Sequence, residues 1–289
     1  MPELPEVEIT RKTLQKYIEN EYILDIKINN RNLRYKIDKN FRKNLKGKKI
    51  VKISRRSKYL IFHLSDGNFF LIHLGMSGRI LVDQSKNKDL VLDTSFYPSA
   101  PPLVKHNHVF FYFKKSNVIY NDTRRFGFIK FYKAKEFINS SHLKNLGVEP
   151  LSKNFTTTFV KKKIFQFNKP IKNILMDQTF ICGLGNIYVN EVLFLSKIHP
   201  LRNSKSLNNL EIKQLVFFIK KILVKSISLG GSTIKDFHNS EGKSGFFQDT
   251  FKVYAKEGSA CSKKNCRGII KKIVLSSRAS FFCDRCQKE

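Results

Sequence analysis

Hydrophobic positions along the chain change their spacing twice. Behind the opening MPELPEVE, Val7, Arg11, Leu14 and Ile18 fall at roughly helical intervals. A proline near the start and Glu in the first turn suit a helix N-terminus, whose dipole favours negative charge. The period then shortens. KKIVKIS, KYLIFHL, FFLIHL, HVFFYF, NVIY and FGFIKFY are short runs rich in Ile, Val, Phe and Tyr, several of them alternating, and they predict strands. Asp66-Gly67, between YLIFHL and NFFLIHL, is a two-residue hairpin signal. Many short strands at this spacing predict a sandwich or a barrel. The stretch 85–102, with three prolines near its end, reads as a long loop.

From about residue 134 the pattern turns helical. NIYVNEVLFLSK, entered from Gly183-Leu184-Gly185, predicts a helix that stops near His199-Pro200. Asn208 and Glu211 have capping-box spacing. Ile212, Leu215, Val216, Ile219, Ile222 and Leu223 then mark one apolar face, which Gly230-Gly231 ends. There is no internal repeat.

Composition narrows the class. At 289 residues the chain suits two modest domains with a small appendix, and 41% hydrophobic residues fit a globular protein. No apolar run approaches the roughly 18 residues of a membrane span. The acidic start lacks the positive segment of a secretion signal, so residence in the cytoplasm is the expectation. Lys and Arg number 54 against 23 acids, a formal net charge of +31. Lys, Asn, Ile and Phe are abundant together, as in proteins from AT-rich genomes, which accounts for part of the excess. The sign still points to a polyanionic partner.

Cys261, Cys266, Cys283 and Cys286 form two close pairs separated by a hairpin-sized segment. That spacing places four thiolates about one Zn²⁺. Disulfides are disfavoured without a secretion signal, and a redox CxxC has no need of a second pair. With no open ligand position suggested, the metal reads as structural. The intervening KKIVLSSRASFF predicts two strands with Ser277-Arg278 near their tip, where an arginine suits phosphate contact. Cys182 reads as a buried structural thiol. Gly183-Leu184-Gly185-Asn186 lacks the third glycine of a dinucleotide fingerprint. A Gly-rich turn opening a helix nevertheless binds phosphate through backbone N–H groups, with Asn186 as a further donor.

MPELPEVE, HLGMSG at 73–78, RRFG at 124–127, GLGNIY at 183–188 and the four-cysteine ribbon occur here in an order that resembles bacterial formamidopyrimidine-DNA glycosylases. The resemblance runs nearly the whole chain. It implies an α+β multidomain fold: an N-terminal helix with a two-layer β-sandwich at 1–133, a linker at 134–150, and a helical helix-two-turn-helix domain at 151–235. A lesion-capping loop at 236–250 and a C-terminal four-cysteine zinc-ribbon finger at 251–289 complete it. The implied protein is a monomer with one structural Zn²⁺ that acts on double-stranded DNA containing oxidised purines, chiefly 8-oxoguanine and formamidopyrimidines. It releases the base, then cuts the strand at the abasic site by β,δ-elimination.

The same resemblance assigns roles. Pro2, freed of Met1, is the amine that attacks C1′; Glu3 protonates the sugar ring oxygen and Glu6 supports the N-terminus. Lys58 donates a proton in β-elimination, and Arg278 grips phosphate and assists δ-elimination. Met76, Arg124 and Phe126 fill the gap left by the flipped base, and His106 and Asn186 contact DNA. Asn168 stands where some relatives carry a phosphate-binding lysine, and Thr123 where the family often has Pro. Taken singly, Lys58 reads as one solvated lysine among many, Met76 and Phe126 as core residues, and His73 and His108 as structural. NSEGKSGFF at 239–247 resembles the loop that covers the extruded base. The nearest alternative is an endonuclease VIII-like glycosylase for oxidised pyrimidines, a branch that begins PEGPE where this chain has PELPE. A non-catalytic zinc-ribbon binder of nucleic acid is the other, although a binder has no use for a free proline amine.

Overall fold

The acidic start of the chain is a helix N-terminus. Glu3 is the N-cap of α1 (Leu4–Ile18), and the Glu6 carboxylate accepts the Glu3 backbone N–H at 2.9 Å, closing a capping box. Val7, Leu14 and Ile18 face the core, while Arg11 lies off that face and pairs with Glu8. The computed structural model describes residues 2–83, 91–93, 103–137, 139–231 and 247–288. Most of the expected loop at 85–102, and residues 236–246 of the expected capping loop, lie outside the described residues. Two compact units divide the chain, 1–144 with 227–248 and 145–226 with 249–289.

In the first unit α1 is followed by β1 (Asp25–Ile28), α2 (Phe41–Leu45), β2 (Ile50–Arg56), β3 (Tyr59–Leu64) and β4 (Phe69–His73). Then come β5 (Gly78–Asp83), β6 (Val91–Asp93), β7 (Asn107–Tyr112), β8 (Asn117–Asp122), β9 (Phe128–Tyr132) and the short α3 (Ala134–Phe137). Two antiparallel sheets result, ordered β1-β7-β8-β5-β6 and β2-β3-β4-β9. They form the two layers of a sandwich. Asp66-Gly67 does turn β3 into β4, but not as the expected two-residue hairpin. Gly67 alone of the pair has a positive φ, +79°, its N–H donates to the Leu64 carbonyl at 3.0 Å, and the Leu64 N–H donates to the Asn68 carbonyl at 2.9 Å. This makes a three-residue loop with glycine at its left-handed position. The core holds Leu60, Ile80, Val82 and Phe111, with Phe62 and Phe70 stacked at 4.2 Å.

Register fixes which loops share an end. In the four-stranded sheet His73 pairs with both Tyr59 and Phe128; in the five-stranded sheet Gly78 pairs with Asp122, and Asn121 with Asn107. The turn at 57–58, the crossover 74–77 from β4 to β5, the crossover 123–127 from β8 to β9, and the approach to β7 therefore emerge together. All the candidate residues of this unit beyond the first helix and its cap sit on them.

The second unit contains α4 (Thr157–Ile164), α5 (Ile171–Met176), α6 (Asn186–Leu195), α7 (Asn209–Ser228) and the ribbon β10 (Ile270–Leu275) with β11 (Arg278–Cys283). On α7 the six apolar residues expected on one face are all buried. Its capping box is present: Asn208 N–H donates to Glu211 at 2.8 Å and Glu211 N–H to Asn208 at 2.9 Å. α6 ends earlier than His199-Pro200, because Lys197 adopts a left-handed φ of 59° just beyond it. Cys182 is buried, its thiol donating to Glu149 at 3.4 Å.

The ribbon is too small to bury a core of its own. It borrows Phe194 from α6, which packs with Val253, Ile270 and Phe281 beside Cys261 and Cys283. Gln287 fastens the other side, accepting from Cys283 N–H at 2.9 Å and donating to the Ile198 carbonyl at 2.8 Å. The four cysteine sulfurs lie within 4.8 Å of one another, with Sγ–Sγ spacings of 3.7, 3.7 and 3.3 Å. Disulfides need about 2.05 Å, which removes that alternative. A tetrahedral zinc with bonds of about 2.3 Å sets its sulfurs roughly 3.8 Å apart, so the donor set fits the metal.

Such a metal supplies about 10–16 kcal/mol of apparent binding energy. Chelation, or Cys283→Ser, is expected to erase hydrogen-exchange protection along β10 and β11 while the sheet containing β3 and β4 stays protected. Ribbon protection that survives metal removal would sink the structural-metal reading.

Candidate active site

The N-terminal residues are covered: Pro2, Glu3 and Glu6 are all buried. Burying two carboxylates beside one chain start is costly unless charge or hydrogen bonds offset it. The capping box meets part of that need, and it fixes the backbone that carries Pro2. The helix is in turn pinned to β2, since Glu19 accepts the Ile53 N–H at 2.8 Å and Arg55 reaches Glu8 at 2.9 Å. Arg55 also donates to the Ser57 carbonyl at 2.9 Å. One guanidinium thus ties the first helix to the turn that carries Lys58.

Lys58 is not a solvated lysine. It is 7% exposed, a burial this residue type rarely tolerates. Its charge is felt at His73, whose pKa is pushed down to about 3 by burial first and by Lys58 next. His73 is therefore neutral, and its Nδ1 accepts the Gly75 N–H at 3.0 Å, which leaves the proton on Nε2. His108 is likewise structural, its Nε2 donating to the Asp122 carbonyl at 2.8 Å. His106 lies half-exposed on the turn before β7, its pKa lowered by burial and then by Lys105.

Met76 and Phe126 are not core residues either, being 40% and 45% exposed on the two crossovers. The Arg124 guanidinium lies 4.6 Å from the Phe126 ring centroid, a cation–π contact that orders both. A cavity of about 730 Å³ opens beside them, lined by Arg34, His73, Met76, Arg124 and Phe126 among others. The crossovers press backbone to backbone. Gly75, at φ +62°, has no room for a Cβ against Phe126 and Gly127, and a Cβ on Gly127 would strike the Tyr120 hydroxyl. A side chain at Gly75 would force the two loops apart, and one at Gly78 would strike the Leu74 carbonyl within its own crossover.

The second unit gathers a different group. Lys172, on α5, is 1% exposed and donates from Nζ to the Ala279 carbonyl at 2.8 Å and to Ser280 Oγ at 2.6 Å. Asn186, at the start of α6, donates to the same carbonyl at 3.0 Å. Asn190 accepts the Phe281 N–H at 2.7 Å. Arg278 follows a two-residue turn, Ser276-Ser277, in which both φ are positive. With Lys169, Lys172 and Asn173 it lines a cavity of about 300 Å³. Burial, and then the Arg278 charge, push the Lys172 pKa down to about 8.

Asn168 does not join this group. It is exposed on the loop before α5, and its carbonyl oxygen accepts from Asn203 at 2.8 Å. Of the two lysines that line the cavity with Arg278, Lys172 is the buried one. Sequence reasoning missed it because KKKIFQFNKPIKN offers five lysines with no spacing to rank them; the usable signal was a lysine between the apolar Ile171 and Ile174. Glu191 was missed too. It is buried on α6 and accepts the N–H groups of Lys252, Val253 and Tyr254 at 2.8–3.0 Å, which holds the chain entering the ribbon.

Three family models match along the chain. They are described as the formamidopyrimidine-DNA glycosylase N-terminal domain at residues 1–129, its H2TH domain at 146–238, and a zinc finger found in FPG and IleRS at 261–288. Formamidopyrimidine-DNA glycosylases of Roseobacter denitrificans and Zymomonas mobilis are 38% and 40% identical, over the whole of both chains. A crystal structure of a Lactococcus lactis variant with Fapy-dG containing DNA is similar at a TM-score of 0.85 and 34% identity, covering all of both chains. The Lactococcus lactis enzyme with abasic site containing DNA matches at 0.84 and 34%, over 99% of this chain and all of that one. With relatives of this identity along its full length, the chain belongs to the formamidopyrimidine-DNA glycosylase family.

Proposed function

We propose that this chain is a bifunctional DNA glycosylase and abasic-site lyase of base excision repair, which excises 8-oxoguanine and formamidopyrimidines through a Schiff base on Pro2. The observation that carries the reading is the buried start of the chain, where Pro2 is followed by Glu3 and Glu6 and the capping box holds the backbone. Supporting it are the relatives above and the printed ligands of the Lactococcus lactis structures, Fapy-dG and abasic DNA. The enzyme acts as a monomer in the cytoplasm. Among the described residues no helix is long and apolar enough to cross a membrane.

Removal of Met1 leaves Pro2 as a secondary amine. An α-amino group titrates near 8 and a lysine near 10.4, so the terminal amine has the larger nucleophilic fraction at neutral pH. Its lone pair attacks C1′ as the bond to the base breaks. Glu3 gives a proton to the ring oxygen as C1′–O4′ opens, and the product is an iminium ion. That cation draws electrons, so loss of the 2′-proton expels the 3′-phosphate, and a second elimination expels the 5′-phosphate. Lys58, buried at the end of the sandwich, supplies a proton in the first elimination. Arg278, Lys172 and Asn186 hold phosphate, with zinc keeping the ribbon that presents Arg278 folded. Arg124, Phe126 and Met76 fill the vacated stack, replacing part of the few kcal/mol that flipping costs.

Borohydride reduces an iminium to a stable amine, so mature protein is expected to be trapped on duplex containing 8-oxoguanine opposite cytosine, and much less on one with an oxidised pyrimidine. A residue added before Pro2 converts its nitrogen to an amide and should abolish trapping while binding persists. Glu3→Gln should slow base release sharply yet keep the fold. Trapping that survives the blocked terminus but disappears in Lys58→Ala would move the nucleophile to Lys58.

Phe126→Ala removes no charge. Its loss on lesion duplex is expected to exceed its loss on single-stranded abasic DNA severalfold, because the gap exists only in the duplex. Equal losses would assign Phe126 a packing role.

Lys172 sheds its proton as pH rises through about 8, well below an ordinary lysine. DNA affinity should therefore weaken between pH 7 and 9, with the slope of log affinity against log salt falling by about one. Lys172→Met should start weaker and lack this step. An identical pH profile in that variant would remove Lys172 from the interface.

A further inference from the structure

We infer that Asp122 is a positioning residue that locks the two crossovers into a single rigid wedge, with Ser77 as the link between them. The inference rests on the wedge reading of Met76, Arg124 and Phe126. Asp122 is wholly buried at the end of β8. Its carboxylate accepts four hydrogen bonds. Oδ1 takes the Ser77 hydroxyl at 2.6 Å and the Arg124 N–H at 3.3 Å; Oδ2 takes the Gly127 N–H at 2.9 Å and the Tyr120 hydroxyl at 3.0 Å.

The donors come from both loops. Ser77 belongs to the crossover that carries Met76, while Arg124 and Gly127 flank Phe126 on the other. Ser77 also accepts the Arg124 N–H at 3.0 Å, so its hydroxyl bridges the carboxylate and the second loop. From the adjacent strand β7, His108 grips the Asp122 carbonyl at 2.8 Å and fixes the backbone from which the carboxylate projects.

A carboxylate suits this position. It accepts at both oxygens and donates nowhere, whereas an amide turns an NH₂ toward one pair of donors. The Ser77 and Tyr120 hydroxyls can rotate away from it, but the Gly127 N–H cannot. Thr123 enters the loop with no ring to restrict it, so the hydrogen bonds to Asp122 supply the rigidity. Arg125 holds a left-handed φ of 57° within the same five residues, a conformation that persists only where neighbours enforce it.

The test compares two substrates under single turnover: base release from 8-oxoguanine duplex, and cleavage of a single-stranded abasic oligonucleotide, where no stack awaits the wedge. Asp122→Asn and Ser77→Ala are each expected to slow the duplex reaction about tenfold or more. The loss on the single strand should be at least five times smaller. The double variant should be no slower than the worse single variant, because both changes break the same link. Ser77→Ala deletes one hydroxyl at a partly exposed site, so it carries the test if Asp122→Asn fails to fold. Equal losses on both substrates, or losses that multiply in the double variant, would overturn the inference, as would a duplex rate left at the wild-type value. Phe126→Ala measured alongside separates the two readings. If it fails to distinguish the substrates, the wedge itself is wrong; if it does and Ser77→Ala does not, the wedge stands and the lock falls.

Discussion

The two short passages from one sheet to the other occur at the same end of the sandwich, and they touch through bare backbone. That close approach governs the rest of the first unit. It demands glycine at 75 and 127, and it sets the Tyr120 hydroxyl against the second loop. It also lets loops from different sheets share hydrogen-bond partners. Side chains that leave such loops outward have nowhere to pack, which is why Met76 and Phe126 stand in solvent.

In the second unit a single carbonyl plays a comparable part. Ala279 O receives both the Lys172 ammonium and the Asn186 amide, so the first residues of β11 are stitched to α5 and α6 at once. Arg278, one residue earlier, inherits that fixed position. The metal and the helices therefore act on opposite ends of the same strand: cysteines order its far end, polar side chains its near end. Neither is redundant, because a ribbon held only by its sulfurs would leave its tip free to swing.

Much of this was legible in the residues. The Asp66-Gly67 hairpin, the Asn208–Glu211 cap, the apolar face of α7 and the cysteine array each announce themselves within a few positions, because local chemistry determines them. β1 and α5 did not, since DIKI and IKNILM are too short to display a period. The buried lysines were illegible for another reason. Whether Lys58 or Lys172 meets water depends on what packs over it, and a chain with 54 basic residues hides two unusual ones well. Asp122 was overlooked because an acid before Arg124-Arg125 reads as a surface charge, when in fact it faces inward toward backbone N–H groups.

If the proposed wedge is as rigid as inferred above, it poses the same mechanical question to every base pair it meets. It cannot adapt to sound DNA and relax onto damaged DNA, so the difference has to come from the DNA. A pair weakened by oxidation costs less to unstack than an intact one, and deformability varies step by step along the duplex. On the reading proposed above, the search for damage becomes a series of brief, failed insertions as the protein slides along the phosphates. Sequence context would then enter through the stiffness of flanking steps, and the protein would carry part of its selectivity as a threshold of force rather than as a pattern of contacts.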